Sequence, residues 1–180
     1  MQTTLKVEPL TPAAFAPYGE IIGARDDIPA DFQSDSGKQE WLVDFHSGTP
    51  LITVVKTPYQ GAAFSRLESH SQVTQAFLPL GGAPAVIAVG RADAESPEPP
   101  QPGQVRAFLL DGSCGIRLGK GIWHSMDRMP LREADTFWAM ISDHETQNDL
   151  YQRGEAMTLT RIVDYSTAFG TTFHISPDPA

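Results

Sequence analysis

Two short segments carry the side chains best suited to chemistry. Glu68-Ser-His70, followed by Gln75 and Gly82, reads Glu-x-His-x4-Gln-x6-Gly, and Gly121-Ile-Trp-His124 reads Gly-x-x-His. A carboxylate, two imidazoles and an amide are the oxygen and nitrogen donors that a hard or borderline divalent metal accepts. Taken singly, His70 and His124 read as buried histidines bonded to structural partners. As a spaced set with Glu68 and Gln75, they read better as one shared polar site.

For these groups to meet, strands must aim them. Residues two apart on a strand project from one face, so Glu68 and His70 point together, with Arg66 one step back. Ser71-Gln-Val-Thr74 is short enough for a hairpin, which would set Gln75 beside His70. Lys120, Ile122 and His124 would share a face of a later strand. Trp123, on the opposite face, reads as core. If the shared face is the interior of a barrel, the four donors converge with Arg66 and Lys120 nearby. An ammonium or guanidinium there would hold a substrate carboxylate through charge-assisted hydrogen bonds.

The surrounding sequence supports that architecture. Strands are expected at 5–10 and 19–22, then at 41–46, 51–57, 63–69, 75–80, 85–90, 105–110, 116–118, 122–126, 136–142 and 158–165. These runs are rich in Val, Ile, Leu, Phe and Thr, and Gly, Pro, Asp and Ser bound them. Thr11-Pro12 opens a single helical turn, residues 24–38 read as a loop, and 144–156 as a weak helix. The Pro-rich stretch 95–103 reads as a surface loop. Asp143-His144-Glu145 would be a loop or helix start, because adjacent strand residues point to opposite faces. His46, His144 and His174 are given no function. The expectation is an all-β fold of one domain spanning 1–180, a closed barrel with a few short helices.

Bulk composition excludes several classes. The 180 residues hold 13 Lys and Arg against 22 Asp and Glu, a net charge of -9, which argues against nucleic-acid and anionic-membrane partners. A single cysteine, Cys114, rules out an internal disulfide or a thiolate cage, and its Asp-Gly-Ser-Cys-Gly setting reads as a turn. No apolar run reaches membrane-spanning length and no leader is evident. A cytoplasmic location is expected.

With those motifs in place, the sequence resembles the cupin superfamily. Glu68, His70, Gln75, Gly82, Gly121 and His124 match its two motifs in position. Glu68 stands where a His is usual, Gln75 where a Glu is usual, and Gly119 where the second motif has Pro. The chain is more closely similar to the ureidoglycolate lyases (formerly hydrolases) of allantoin degradation. The resemblance runs through Pro9-Leu-Thr, Phe15-Ala-Pro-Tyr-Gly-Glu-Ile-Ile22, Leu67-Glu-Ser-His70, Thr74-Gln-Ala-Phe-Leu-Pro79, Val105-Arg-Ala-Phe108 and Lys120-Gly-Ile-Trp-His124. It departs at 33–38, at Ser125-Met126 and after Met140.

The resemblance implies a cupin-type β-barrel (a double-stranded β-helix or jelly roll), a homodimer, and a carbon–nitrogen lyase cleaving ureidoglycolate to glyoxylate and urea. It implies a divalent metal (nickel, manganese, zinc or iron) held by Glu68, His70, Gln75 and His124, and no organic cofactor. Catalysis would fall to Glu68, His124 and Lys120, with Lys120 and Arg66 binding the substrate carboxylate. The departures leave two alternatives: a cupin acting on another small hydroxy or ureido acid, or a non-catalytic small-molecule-binding cupin.

Overall fold

Residues 85–90, Ala-Val-Ile-Ala-Val-Gly, are buried along their whole length. A strand apolar on both faces must lie between two layers, and the computed structural model puts it there. The structure describes residues 1–23, 25, 27–92, 98–151 and 157–176. Its strands are β1 (Gln2–Glu8), β2 (Gly19–Ile22), β3 (Phe32–Gln33), β4 (Gln39–Glu40), β5 (Pro50–Thr57), β6 (Ala63–Phe64), β7 (Arg66–His70) and β8 (Gln75–Gly82), followed by β9 (Ala85–Gly90), β10 (Arg106–Leu110), β11 (Gly115–Leu118), β12 (Trp123–Ser125), β13 (Met129–Pro130), β14 (Thr136–Asp143), β15 (Thr160–Asp164) and β16 (Thr172–Ser176). Three short helices join them: α1 (Pro12–Phe15), α2 (His144–Tyr151) and α3 (Tyr165–Ala168).

Two sheets curl around a common core to give the all-β, cupin-type barrel. The larger runs β15-β7-β12-β9-β10-β1-β16-β6, with β13 also pairing β9, and the smaller runs β2-β11-β8-β14-β5. Between them lie Ile87, Val89 and Phe108 from the larger sheet and Phe77, Ile116 and Trp138 from the smaller. The alternate residues of β9, Val86 and Ala88, enter a second cluster with Leu67, Trp123 and Phe173 on the other face. Each such side chain taken fully out of water contributes about 1.5–3 kcal/mol, so the period-2 pattern fixes which face of β7 and β12 looks inward.

Several expected elements shift. Residues 41–46 form no strand; their burial alternates, but backbone groups are taken by side chains, Leu42 N by Asp31 at 2.8 Å and His46 N by Thr74 Oγ1 at 2.9 Å. The loop expected at 24–38 instead contains β3, which pairs with β4. The first strand lies at Gln2–Glu8 and pairs in parallel with β16, a strand absent from the sequence expectation. No hairpin joins β7 to β8. They belong to different sheets, and the 71–74 connector crosses between them, held by Ser71 N to Leu159 O and Thr74 N to His46 O, both 2.9 Å. The helix expected at 144–156 is described only to Tyr151, and part of the Pro-rich stretch lies outside the described residues.

Candidate active site

Alternation on β7 sends Leu67 into the apolar cluster and Glu68 and His70 to the opposite face. β12 pairs antiparallel with β7 so that His124 stands directly opposite Glu68. Trp123 anchors that register from the other face, 2 % exposed in the second cluster. The turn before β12 is tied to the same site, since Gly121 N donates to His70 O at 2.8 Å. Gly121 has a φ of 72°, a left-handed conformation that a side chain disfavours.

Glu68, His70 and His124 present ligand atoms that all lie within 4.8 Å of one another. His124 Nε2 is 3.3 Å from Glu68 Oε1, and His70 Nε2 is 3.9 Å from the same oxygen. The outer nitrogens fix the tautomers. His124 Nδ1 is 3.2 Å from Ile122 O, a group that can only accept, so Nδ1 donates there and Nε2 faces Glu68. His70 Nδ1 lies 3.0 Å from Thr160 Oγ1. The Thr160 hydroxyl in turn bonds the Asp149 carboxylate, which also accepts the backbone N–H groups of Thr158, Leu159 and Thr160 at 2.7, 3.1 and 2.8 Å. With the hydroxyl hydrogen directed to Asp149, Thr160 Oγ1 accepts from His70 Nδ1, and the neutral His70 ring keeps its lone pair on Nε2.

Two imidazole nitrogens and a carboxylate therefore face one another in a buried site. Glu68 Oε2, His70 Nε2, His124 Nε2 and Gln75 Oε1 are all buried without a hydrogen-bond partner. Such groups are rare unless a ligand completes them, and a cation is a ligand that imidazoles and a carboxylate together accept. Burial, then the electrostatic effect of the neighbouring His124, push the His70 pKa down to about 4, so its imidazole is neutral at physiological pH. Burial alone would raise the Glu68 pKa, but the His124 contact and the charges of His124, His70 and Arg128 outweigh it, and the carboxyl titrates below its ordinary value. A neutral His70 and an ionised Glu68 are in the protonation states a divalent metal requires, and the donor set of Glu68, His70 and His124 fits one.

Gln75 reaches the site from the smaller sheet, where it begins β8 opposite Leu118 of β11. Gln75 and Glu68 line a cavity of about 550 Å³ whose wall also includes Arg66, Met140, Gln147 and Arg128. The two histidines are not on that wall and reach it through Glu68. Arg66 is exposed at the cavity and pairs in register with Asp164.

Lys120 is placed elsewhere. The strand starts only at Trp123, and Lys120 is exposed on the preceding turn, outside the cavity wall. The expectation that it shares a strand face with His124 is therefore not met, because the chain turns at 119–122 before β12 begins. Asp143 starts α2, accepting from Thr146 N at 2.8 Å, as the helix-start reading of 143–145 expects. Thr160, Asp149 and Arg128 had no part in the sequence reading. Thr160 meets His70 across ninety positions of chain with no local signal. Arg128 stands four residues beyond His124, a spacing that would have been visible but fell outside any expected strand.

The comparisons agree with this geometry. The family described as Ureidoglycolate lyase matches residues 2–159. A ureidoglycolate lyase of Pseudomonas fluorescens (strain Pf0-1) is 35% identical over 130 residues, covering 67% of this chain and 74% of that protein. Proteins of the same name from Azotobacter vinelandii and Burkholderia mallei (strain NCTC 10229) are 33% and 34% identical, each over 67% of this chain and over 74% and 72% of their own lengths. With a match over nearly its whole length and a barrel that gathers the two cupin motifs at one point, the chain belongs to the ureidoglycolate lyase family.

Proposed function

We propose that the protein is a ureidoglycolate lyase that cleaves ureidoglycolate to glyoxylate and urea. One observation carries the reading: Glu68, His70 and His124 gather unpartnered buried ligand atoms at one point, beside a cavity that Glu68 and Gln75 line, in a member of this family. A cavity of about 550 Å³ is in the range of small-molecule sites. Glu68, His70, Gln75 and His124 would hold a divalent metal. When bound, it would act as a Lewis acid toward the substrate's hydroxyl and carboxylate oxygens.

The substrate is a carbinolamine, with hydroxyl, carboxylate and urea nitrogen on one carbon. Cleavage needs the hydroxyl proton removed as the C–N electron pair leaves with nitrogen and the C=O of glyoxylate forms. Glu68 Oε1 faces the imidazoles, whereas Oε2 has no hydrogen bond and belongs to a residue on the cavity wall. Oε2 is therefore the acceptor for the hydroxyl proton. The same carboxyl returns the proton to the departing urea nitrogen, so atoms and charge balance with no water consumed. His124 and His70 keep Glu68 ionised and oriented, and Arg66 supplies positive charge on the cavity wall for an anionic substrate.

Turnover of ureidoglycolate, read as urea and glyoxylate, tests the reading. Release of both in equal amounts is expected from protein reconstituted with nickel, manganese, zinc or iron. No release with any of them rejects it, and a panel of other hydroxy and ureido acids would then reveal a related substrate.

The reading is of one domain acting in the cytoplasm as a homodimer. Ile52 and Val54 of β5 are 70% and 71% exposed and lie beside Ile141 and Ala139 of β14 on the outer face of the smaller sheet. That apolar face, on an edge strand, is a natural surface for a second copy. Among the described residues no helix is long and apolar enough to cross a membrane.

A further inference from the structure

The cavity wall holds a charged group that neither the motifs nor the metal chemistry uses. Arg128 lies in the segment between β12 and β13, is only 4 % exposed, and yet lines the cavity with Glu68 and Gln75. Its guanidinium lies over the Phe77 ring, 4.2 Å from the centroid, and Nη2 donates to Met126 O at 2.8 Å. Nε and Nη1 have no hydrogen-bond partner. Its charge acts on Glu68, but the two make no direct ion pair.

A buried guanidinium is unfavourable unless an anion and its hydrogen bonds compensate the lost water. The ring of Phe77 compensates in part, and one carbonyl takes one of its five N–H groups. The remaining N–H groups are suited to a ligand that is anionic, rich in acceptors and small enough to stand between Arg128 and Glu68. A carboxylate meets all three conditions.

We propose that Arg128 is a substrate-binding residue that holds the carboxylate of a small hydroxy- or oxo-acid, orienting the adjacent carbon toward Glu68. Identification of that acid as ureidoglycolate rests on the lyase reading; the carboxylate site does not. Arg128, buried beside the reacting carboxylate, takes the role that the sequence had given to Lys120.

The test compares wild type, Arg128→Met and Arg128→Lys by calorimetry with glyoxylate, glycolate and the uncharged glycolamide, after circular dichroism has verified folding. Glyoxylate and glycolate affinity is expected to fall roughly 10- to 100-fold in Arg128→Met and to be partly restored in Arg128→Lys. Glycolamide should bind the three proteins alike. Removing a buried charge in favour of an apolar group of similar size tends to leave stability intact, and the lysine variant keeps the test decisive if the methionine variant fails to fold. Undiminished carboxylate binding in folded Arg128→Met, or no carboxylate binding by wild type, overturns the proposal. Arg128-dependent carboxylate binding without ureidoglycolate turnover would reject only the lyase reading. Turnover with an unchanged KM in Arg128→Met would reject only the role of Arg128.

Discussion

Glu68 and His124 are direct cross-strand partners on β7 and β12, with His124 Nε2 3.3 Å from Glu68 Oε1. The pairing register itself builds the core of the candidate site, and it joins residues from the two separate sequence motifs. His70, two positions along from Glu68, completes the group on the same face.

Replacing these residues should separate loss of metal from loss of fold. Glu68→Gln keeps shape but removes the charge and the proton acceptor. Activity should fall by about 100-fold or more, the usual scale for a general base, and bound metal measured by elemental analysis should drop with it. His124→Ala should lose both as well. Full activity in either variant would show that the chemistry lies elsewhere.

The link from Asp149 through Thr160 to His70 predicts an effect at a distance from the cavity. Thr160→Val leaves His70 Nδ1 without its acceptor and frees the ring to adopt the wrong tautomer. Loss of such a supporting partner typically lowers metal affinity about 10- to 100-fold. A metal titration that gave the wild-type affinity would rule out the link.

The pH dependence of the metal-free protein follows from His70. Its pKa falls from 6.5 when unfolded to about 4 when folded, so between these values the unfolded chain binds more protons. Stability is therefore fully present above about pH 6.5 and declines as pH falls through the window toward 4. The shift corresponds to a loss on the order of 3 kcal/mol. Glu68, with its lowered pKa, acts in the same direction at lower pH. Urea denaturation of chelator-treated protein across this range measures the slope, and His70→Asn should flatten it.

Gly121 predicts a backbone effect. Space around it is open, so Gly121→Ala meets no clash, but its φ of 72° disfavours any side chain. The substitution should cost about 1 kcal/mol or more, visible as a lowered Tm. Because Gly121 N donates to His70 O, metal affinity should weaken in parallel. Gly82 should be less tolerant, since a Cβ there would lie 2.3 Å from Asp135 O.

The homodimer has its own check. Val54→Lys places a charge in the exposed apolar face of β5 without touching the cavity wall. Sedimentation should show a dimer for wild type and a monomer for the variant; a wild-type monomer would reject the homodimer.

The local chemistry was legible in the sequence. Alternation alone put Glu68 and His70 on one face and Trp123 and His124 on opposite faces, because strand geometry has a period of two and burial selects the face. Turn residues and β-branched runs marked most strands for the same local reason. Contacts between distant segments were not legible. Only the tertiary fold could carry β8 into the facing sheet so that Gln75 meets the site from across the barrel, bring Thr160 and Asp149 to His70, and pair the first strand with the last. It also set two cations in different surroundings: the turn at Gly121 leaves Lys120 exposed, while Arg128 lies buried against Phe77. Sequence periodicity records which way a side chain points within its own strand, but which strands become neighbours is set by packing across the whole barrel.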